Sequence, residues 1–107
     1  SFARGKRRVL CLHCDGGMMM NLQELATIAH HKLPVKILVF SNEGYLMIRH
    51  TQKVLGLEST AVGPESGLSF PDFVECGGSF GIHSHRVSPW GQWRTIAPAF
   101  FAYEGPA

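Results

Sequence analysis

The chain has 107 residues, 45% of them hydrophobic, which suits one compact domain with a core of its own. Its formal net charge of +2 is too small to indicate a nucleic acid or another polyanion as a partner. No apolar run is long enough to cross a bilayer, and the three cysteines lack the spacing of a disulfide framework. We therefore expect a soluble, cytoplasmic protein with no membrane or nucleic-acid partner.

A basic segment precedes the first predicted element. It contains four basic residues: Arg4, Lys6, Arg7 and Arg8. We interpret them as a solvated lead-in to a strand, with a phosphate-binding arm as the alternative. The strand itself is the apolar, β-prone run of residues 9–12.

Two glycines follow this strand, directly after an aspartate. Gly16 and Gly17 come after Asp15, and glycines let a backbone turn and approach a ligand closely. Because Asp-Gly-Gly turns are common, this turn has either a structural role or a binding role.

An amphipathic helix is predicted next. Asn21 and Glu24 have the spacing of a capping box. Apolar residues then recur at helical spacing: Leu22, Leu25, Ile28 and Ala29. The polar residues 30–32 at its end are interpreted as partners of the negative end of the helix dipole, with metal binding as the alternative.

A second buried strand, residues 35–40, starts after Pro34, and its continuous apolar character is typical of a strand covered on both faces. Two such strands around a helix predict a right-handed, parallel βαβ unit. After a turn at Asn42, residues 45–55 have a helical pattern that Gly56 ends.

The second half of the chain has weaker patterns. Residues 58–70 are rich in Ser, Gly, Pro and Thr and are predicted to form an extended loop on the ligand side. Three further elements are predicted: a short helix that residues 71–76 open and that Gly77 and Gly78 weaken, a third strand over residues 83–87, and a last helix over residues 89–103 that Pro98 interrupts.

Oxygen-bearing residues follow both predicted strands. The carboxyl ends of parallel strands lie side by side, so Asp15 and Asn42 are expected to face one site. A carboxylate and an amide oxygen suit a magnesium or calcium ion that holds a phosphate or diphosphate. The backbone amides of Gly16 and Gly17, near a helix start, are expected to meet the anion.

The spacing of these residues resembles a known family. A Gly-Asp-Gly signature, a spacer and Asn-Asn mark the diphosphate-binding domain of thiamine-diphosphate-dependent enzymes of the acetolactate synthase and pyruvate decarboxylase group, and here 27 positions separate Asp15 from Asn42. The likeness runs from about Arg7 to Ala107 and includes residues 21–27, 33–37, 42–45, 48–52 and 71–73. It implies an α/β fold, a three-layer sandwich with a mostly parallel sheet.

The resemblance also implies roles for individual residues. Asp15 and Asn42 match Mg²⁺ ligands, and Gly44 matches a third ligand through its backbone carbonyl. Gly16 and Gly17 fall where the family's turn amides touch the diphosphate of thiamine diphosphate. In such enzymes the cofactor decarboxylates a 2-oxo acid and passes the product to a second carbonyl or a proton, while the protein binds and orients it.

The chain also departs from the family pattern. Cys14 replaces the first glycine of the signature, and Ser41 replaces the first Asn. Residues 1–107 are expected to be one diphosphate-binding domain that stops where its last strand begins. The family's pyrimidine-binding domain, whose glutamate activates the cofactor, is not among them. We therefore expect a fragment that works with that domain, from the same or another subunit of a homo-oligomer, and that is inactive alone.

Other interpretations are less well supported by the residues. A zinc site is disfavoured because Cys11 and His13 share a strand face from which Cys14 points away. Cys14 as a nucleophile beside His13 lacks an orienting third group. Trp90 and Trp93 are expected to cover the core rather than stack on bases. The remaining alternative is a non-catalytic α/β interaction module with a vestigial metal site.

Overall fold

The computed structural model describes residue 1 and residues 5–107; Arg4, part of the predicted basic lead-in, lies outside them. Its elements follow one another as β1 (Val9–Cys14), α1 (Asp15–Met20), α2 (Glu24–His30), β2 (Val35–Phe40), α3 (Leu46–Val54), α4 (Phe73–Ser79) and α5 (Trp93–Ala102). Short 3-10 turns occupy Pro64–Ser66 and Trp90–Gln92.

The two strands form a parallel pair. The register runs from Val9 opposite Val35 to Cys14 opposite Phe40, so both strands end together. The connection contains α1 and α2, as a parallel βαβ unit requires. The predicted α/β class with a parallel sheet is confirmed, and in the described part of the chain this sheet has two strands.

The core lies between the crossover helices, β2 and α4. Met18, Leu25 and Ile82 are buried at its centre. Partly buried side chains pack around them: Leu22, Ile28, Ala29, Ile37, Val39, Phe73 and Phe80. The apolar face predicted for the helix now named α2 is confirmed. Burying each large side chain contributes roughly 1.5–3 kcal/mol to stability.

Two local predictions around the crossover are wrong. Residues 15–17 form the first turn of α1 rather than a separate turn, because the helix starts directly at the strand end. Asn21 does not act as a side-chain cap: α2 begins at Glu24, whose N–H donates to the backbone carbonyl of Asn21 at 3.0 Å. A backbone turn therefore replaces the predicted capping box.

The predicted third strand over residues 83–87 is also wrong, since this segment is irregular. The side chains of residues 83–87 contact α4 and its N-cap instead of pairing with a strand edge. Arg86 pairs with Asp72 at 2.7 Å, and the hydroxyl of Ser84 occupies the space that a β-carbon on Gly77 would need. This close approach explains why a helix tolerates glycine here.

Helix α4 is present and includes Gly77 and Gly78 as predicted, but it begins at Phe73 rather than at Pro71, and Asp72 caps its N-terminus. Asp72 accepts hydrogen bonds from the N–H groups of Val74 and Glu75 at 2.8 and 3.3 Å. These bonds, together with Arg86, lower the pKa of the Asp72 carboxyl. The cap offsets part of the low helix propensity of the two glycines within α4.

The last helix continues through Pro98, so the predicted interruption does not occur. Trp90 stacks on Trp93 with ring centroids 6.0 Å apart, but Trp90 is 69% exposed and does not cover the core. The prediction for Trp90 is therefore wrong.

In the described part of the chain, no helix combines the length and apolarity that spanning a bilayer requires.

The C-terminal residue lies on the outer edge of β2. The N–H of Ala107 donates to Val35 at 3.2 Å, and Ala107 accepts from the N–H of Ile37 at 2.8 Å. Between them, the fully buried Lys36 donates from Nζ to the carbonyl of Gly105 at 2.7 Å. Burial, and to a lesser extent Arg8, lowers the pKa of Lys36.

Candidate functional site

Asp15 is the centre of the candidate site. It follows the last residue of β1, and its side chain is fully buried. Its Oδ2 accepts hydrogen bonds from the backbone N–H of Asn42 at 2.6 Å and of Gly44 at 3.4 Å. The carboxylate thus connects the carboxyl ends of both strands, and the predicted meeting of Asp15 with Asn42 and Gly44 occurs.

The contact with Asn42 uses its backbone, and the residue itself is exposed. Glu43, next along the chain, has a positive φ of 54°. This left-handed conformation reverses the chain direction, so that the N–H groups on both sides of Glu43 converge on one carboxylate oxygen.

Gly44 occupies a position without space for a side chain. A β-carbon there would collide with the backbone carbonyl of Val62, which also accepts from the N–H of Tyr45 at 2.8 Å. Val62 belongs to the predicted loop over residues 58–70 and is fully buried. The loop therefore lies against the strand-end residues, and the glycine is required by packing.

Gly16 and Gly17 lie in the first turn of α1, which has no side-chain cap. A β-carbon on Gly16 would collide with the ring of Tyr45, whereas one on Gly17 would lie 3.3 Å from Nδ1 of His13. Both glycines therefore let other groups come close to the start of the helix. The first amides of a helix have no partner within it and are suited to bind an anion.

One oxygen of Asp15 has no hydrogen bond. Oδ1 is buried and without a partner among the described residues. An unsatisfied buried polar atom costs roughly 1–3 kcal/mol, more when it is charged, and a hard cation would satisfy it. A buried carboxylate oxygen without a partner is therefore suited to a hard cation such as Mg²⁺.

Sites rich in nitrogen or sulfur ligands fit less well. In residue 1 and residues 5–107, no three His, Cys, Asp or Glu side chains are grouped so that they could hold a metal. Cys11 and His13 contact each other on one face of β1, while the exposed Cys14 points to the other. Cys14 is therefore separated from Cys11 and His13 by the faces of β1, as predicted.

A cavity of about 490 Å³ begins beside the strand end at Ser41 and Glu43. Its wall is mostly apolar and combines residues of β2, α4, the irregular segment and α5, among them Ile37, Val39, Phe73, His83, Trp93 and Phe100. This cavity was not predicted, because the alternating residues 83–87, which line it, resemble a strand in the sequence.

Residues that support the site from outside were also not predicted. Arg49 of α3 pairs with Glu65 at 2.8 Å and lies beside Gly44 and Gly63. The available signal was the glycines themselves, Gly44 after the second strand and Gly63 in the predicted loop, since glycine often marks close approach of another group.

Comparisons with known proteins agree with this geometry. The family described as "Thiamine pyrophosphate enzyme, C-terminal TPP binding domain" matches residues 1–107. The chain is 32% identical over 105 residues to the acetolactate synthase isozyme 2 large subunit of Escherichia coli (strain K12), covering 97% of this chain and 19% of that protein. It is 36% identical over 86 residues to the probable acetolactate synthase large subunit of Methanococcus aeolicus, covering 79% and 14%.

A solved structure is also similar. The thiamine diphosphate-dependent 4-hydroxybenzoylformate decarboxylase of Rhodococcus jostii RHA1 superposes with a TM-score of 0.83 at 28% identity, over 98% of this chain and 19% of that one. The chain thus spans a fifth or less of these relatives. With the strand-end geometry and the family match over residues 1–107, the chain belongs to the family of C-terminal TPP binding domains of thiamine pyrophosphate enzymes, with acetolactate synthase large subunits among its relatives.

Proposed function

We propose that this chain binds the diphosphate tail of thiamine diphosphate through Mg²⁺, as part of an acetolactate synthase-like 2-oxo acid decarboxylase or carboligase. Asp15, Asn42 and Gly44 are the proposed Mg²⁺ ligands, the last through its backbone carbonyl. Gly16 and Gly17 are the proposed diphosphate contacts. The observation that carries the proposal is the buried Oδ1 of Asp15, which has no partner among the described residues.

The burial of Asp15 supports its assignment as the central ligand. A carboxylate removed from water requires hydrogen bonds or a cation. Two backbone N–H groups satisfy Oδ2, which leaves Oδ1 for the ion. The same two bonds fix the orientation of the carboxylate, so Oδ1 would be preorganised to bind the ion.

The glycines support the assignment of the diphosphate contacts. Substitution at Gly16 is blocked by Tyr45, and the space beside Gly17 is limited by His13. Because these glycines lack side chains, phosphate oxygens could approach their backbone N–H groups closely, while the metal neutralises part of the phosphate charge. When bound, thiamine diphosphate supplies the carbanion chemistry, and the chain's own residues bind and orient it.

The apolar surface of α3 supports a partner. Its residues Leu46, Met47, Ile48 and Val54 are 48–75% exposed, and none of its residues is buried. Contiguous exposed apolar residues mark interaction sites in many proteins. We propose that a pyrimidine-binding domain, from the same or another subunit of a homo-oligomer, covers this helix and that the chain is inactive alone.

Calorimetry tests the proposed binding. We expect the chain to bind thiamine diphosphate when Mg²⁺ is present and to lose this binding with EDTA. Asp15→Asn keeps an acceptor for the N–H of Asn42 but removes the charge, so it should abolish metal-dependent binding. Glu58→Gln, at an exposed position, is the matched control and should bind like the original chain. Equal heats from both variants would contradict the proposal.

A second candidate function is association alone, in a non-catalytic module with a vestigial metal site. The exposed face of α3 and the replacement of the signature glycine by the exposed Cys14 favour it. Absence of binding heat at millimolar cofactor and Mg²⁺, in a folded chain that still self-associates, would support this candidate over the first.

A further inference from the structure

Two hydrogen bonds connect the turn after β2 with the loop that packs against it. The N–H of Tyr45 donates to the carbonyl of Val62 at 2.8 Å, and the N–H of Gly63 donates to Oγ of Ser66 at 3.0 Å. Val62 is fully buried, so its carbonyl meets Tyr45 away from bulk water. The two bonds link the side chain of Ser66 to the strand-end residues.

These bonds act on opposite ends of peptide groups. The carbonyl of Gly44 and the N–H of Tyr45 belong to one peptide group, and the carbonyl of Val62 and the N–H of Gly63 belong to another. Both peptide bonds are trans, and in a planar trans peptide group the C=O and the N–H point in opposite directions. Ser66 therefore restrains the direction of the Val62 carbonyl, which in turn restrains the direction of the Gly44 carbonyl. We call this series of bonds the 44–66 network.

The hydroxyl of Ser66 is itself held firmly. Besides the bond from Gly63, its Oγ accepts from the N–H of Val62 at 2.9 Å and donates to the carbonyl of Gly63 at 3.0 Å. A serine hydroxyl can donate one hydrogen bond and accept two, so its capacity is fully used. A single side chain thus fixes the turn that presents the Val62 carbonyl.

We propose that Ser66 is a positioning residue for the metal site. This inference rests on the proposed function, in which the carbonyl of Gly44 is a Mg²⁺ ligand. Through the 44–66 network, Ser66 holds that carbonyl in one direction before the ion binds. Hydrogen bonds in series also polarise one another, so the network increases the negative charge on the Gly44 oxygen. Both effects favour a hard cation.

The competing explanation is that packing alone holds the Gly44 carbonyl. Val62 is fully buried, and its carbonyl lies where a β-carbon on Gly44 would be. If packing were sufficient, loss of the Ser66 hydroxyl would leave the direction of the Gly44 carbonyl unchanged. Ser66→Ala removes the hydroxyl, whereas Ser66→Thr keeps it. Ser79→Ala is the matched control, because it removes an exposed serine hydroxyl that bonds a carbonyl within α4 at 2.9 Å.

The first test needs neither metal nor cofactor. The exchange rate of the Tyr45 amide hydrogen is measured by NMR relative to that of Leu38 in β2, which corrects for a change in global stability. We expect this relative rate to rise about tenfold in Ser66→Ala and to stay within about twofold of the original in Ser66→Thr and Ser79→Ala. An unchanged relative rate in Ser66→Ala would overturn the proposal.

The second test measures the affinity for Mg²⁺ by calorimetry at saturating thiamine diphosphate. We expect Ser66→Ala to bind Mg²⁺ about tenfold more weakly, at the lower end of the effects known for residues that support metal ligands, and Ser66→Thr to restore the affinity. Equal affinities of Ser66→Ala and the original chain would overturn the positioning role and leave the proposed function intact. If the original chain itself binds no Mg²⁺, the proposed function fails, and the role of Ser66 at a metal site fails with it.

Discussion

The carboxylate of Asp15 lies 2.6 Å from the backbone N–H of Asn42, a residue 27 positions later in the chain. Together with a second bond from the N–H of Gly44, it joins the carboxyl ends of β1 and β2. Asp15 is fully buried whereas Asn42 is exposed, so this bond is partly shielded from water. The same carboxylate therefore has both a structural role and a proposed ligand role, which substitutions can separate.

Asp15→Ala should destabilise the chain, because the N–H of Asn42 loses its acceptor. We expect the free energy of unfolding in urea, measured without metal, to fall by about 1–3 kcal/mol. Asp15→Asn keeps that acceptor and should lose less. If Mg²⁺ binds at Oδ1, it should raise the melting temperature of the original chain but not that of Asp15→Asn. Equal shifts in both would place the ion elsewhere.

Gly44→Ala should destabilise the chain for a steric reason. The added methyl group would meet the carbonyl of Val62, a backbone atom that moves only with its whole segment. We expect a loss of about 1–3 kcal/mol in chemical denaturation. Gly78→Ala is the matched control, because a β-carbon there meets nothing within 4 Å and the position is helical. That substitution should stabilise the chain by about 0.5–1 kcal/mol.

The buried Lys36 should make stability depend on alkaline pH. Its pKa is lowered in the folded chain, so the unfolded chain binds more protons between that lowered value and the ordinary lysine value of about 10.4. Stability should therefore rise with pH across this window, relative to Lys36→Met. The difference between the two chains, measured by urea unfolding at several pH values, gives this slope. A difference that does not vary with pH would contradict the burial of a charged amine.

Asp72 should contribute to stability at neutral pH and lose this contribution in acid. Its folded-state pKa is lowered, first by the N–H groups of Val74 and Glu75 and further by Arg86. The contribution is present above the unfolded-state pKa of about 3.9 and disappears as the pH falls through the folded-state value. Asp72→Ala should melt at a lower temperature at pH 7, with the gap closing in acid. Asp72→Asn, which keeps a cap acceptor, should lose less.

The parts of the structure that follow from local pattern were predictable. The strand pair and the apolar face of α2 depend on runs of residues whose periodicity is visible in the sequence. The meeting of Asp15 with Asn42 followed from the rule that parallel strands end together, once both strands were identified.

The errors come from tertiary contacts that a local pattern does not contain. The alternating residues 83–87 resemble a strand, but the pairing of Arg86 with Asp72 and the packing of Ser84 on Gly77 hold them against α4. The capping box at Asn21 failed because a backbone carbonyl made the bond expected of the side chain. Val62, which packs on Gly44, lies in a segment without periodicity and gave no local signal.

The exposure of α3 has a dynamic consequence. A nine-residue helix without buried residues receives little support from packing, and isolated helices of this length are marginal in water. Residues 46–54 should therefore open locally at a low free-energy cost and exchange their amide hydrogens early, well before the amides of β2. Slow amide exchange in residues 46–54 would then indicate that a partner covers the apolar face of α3.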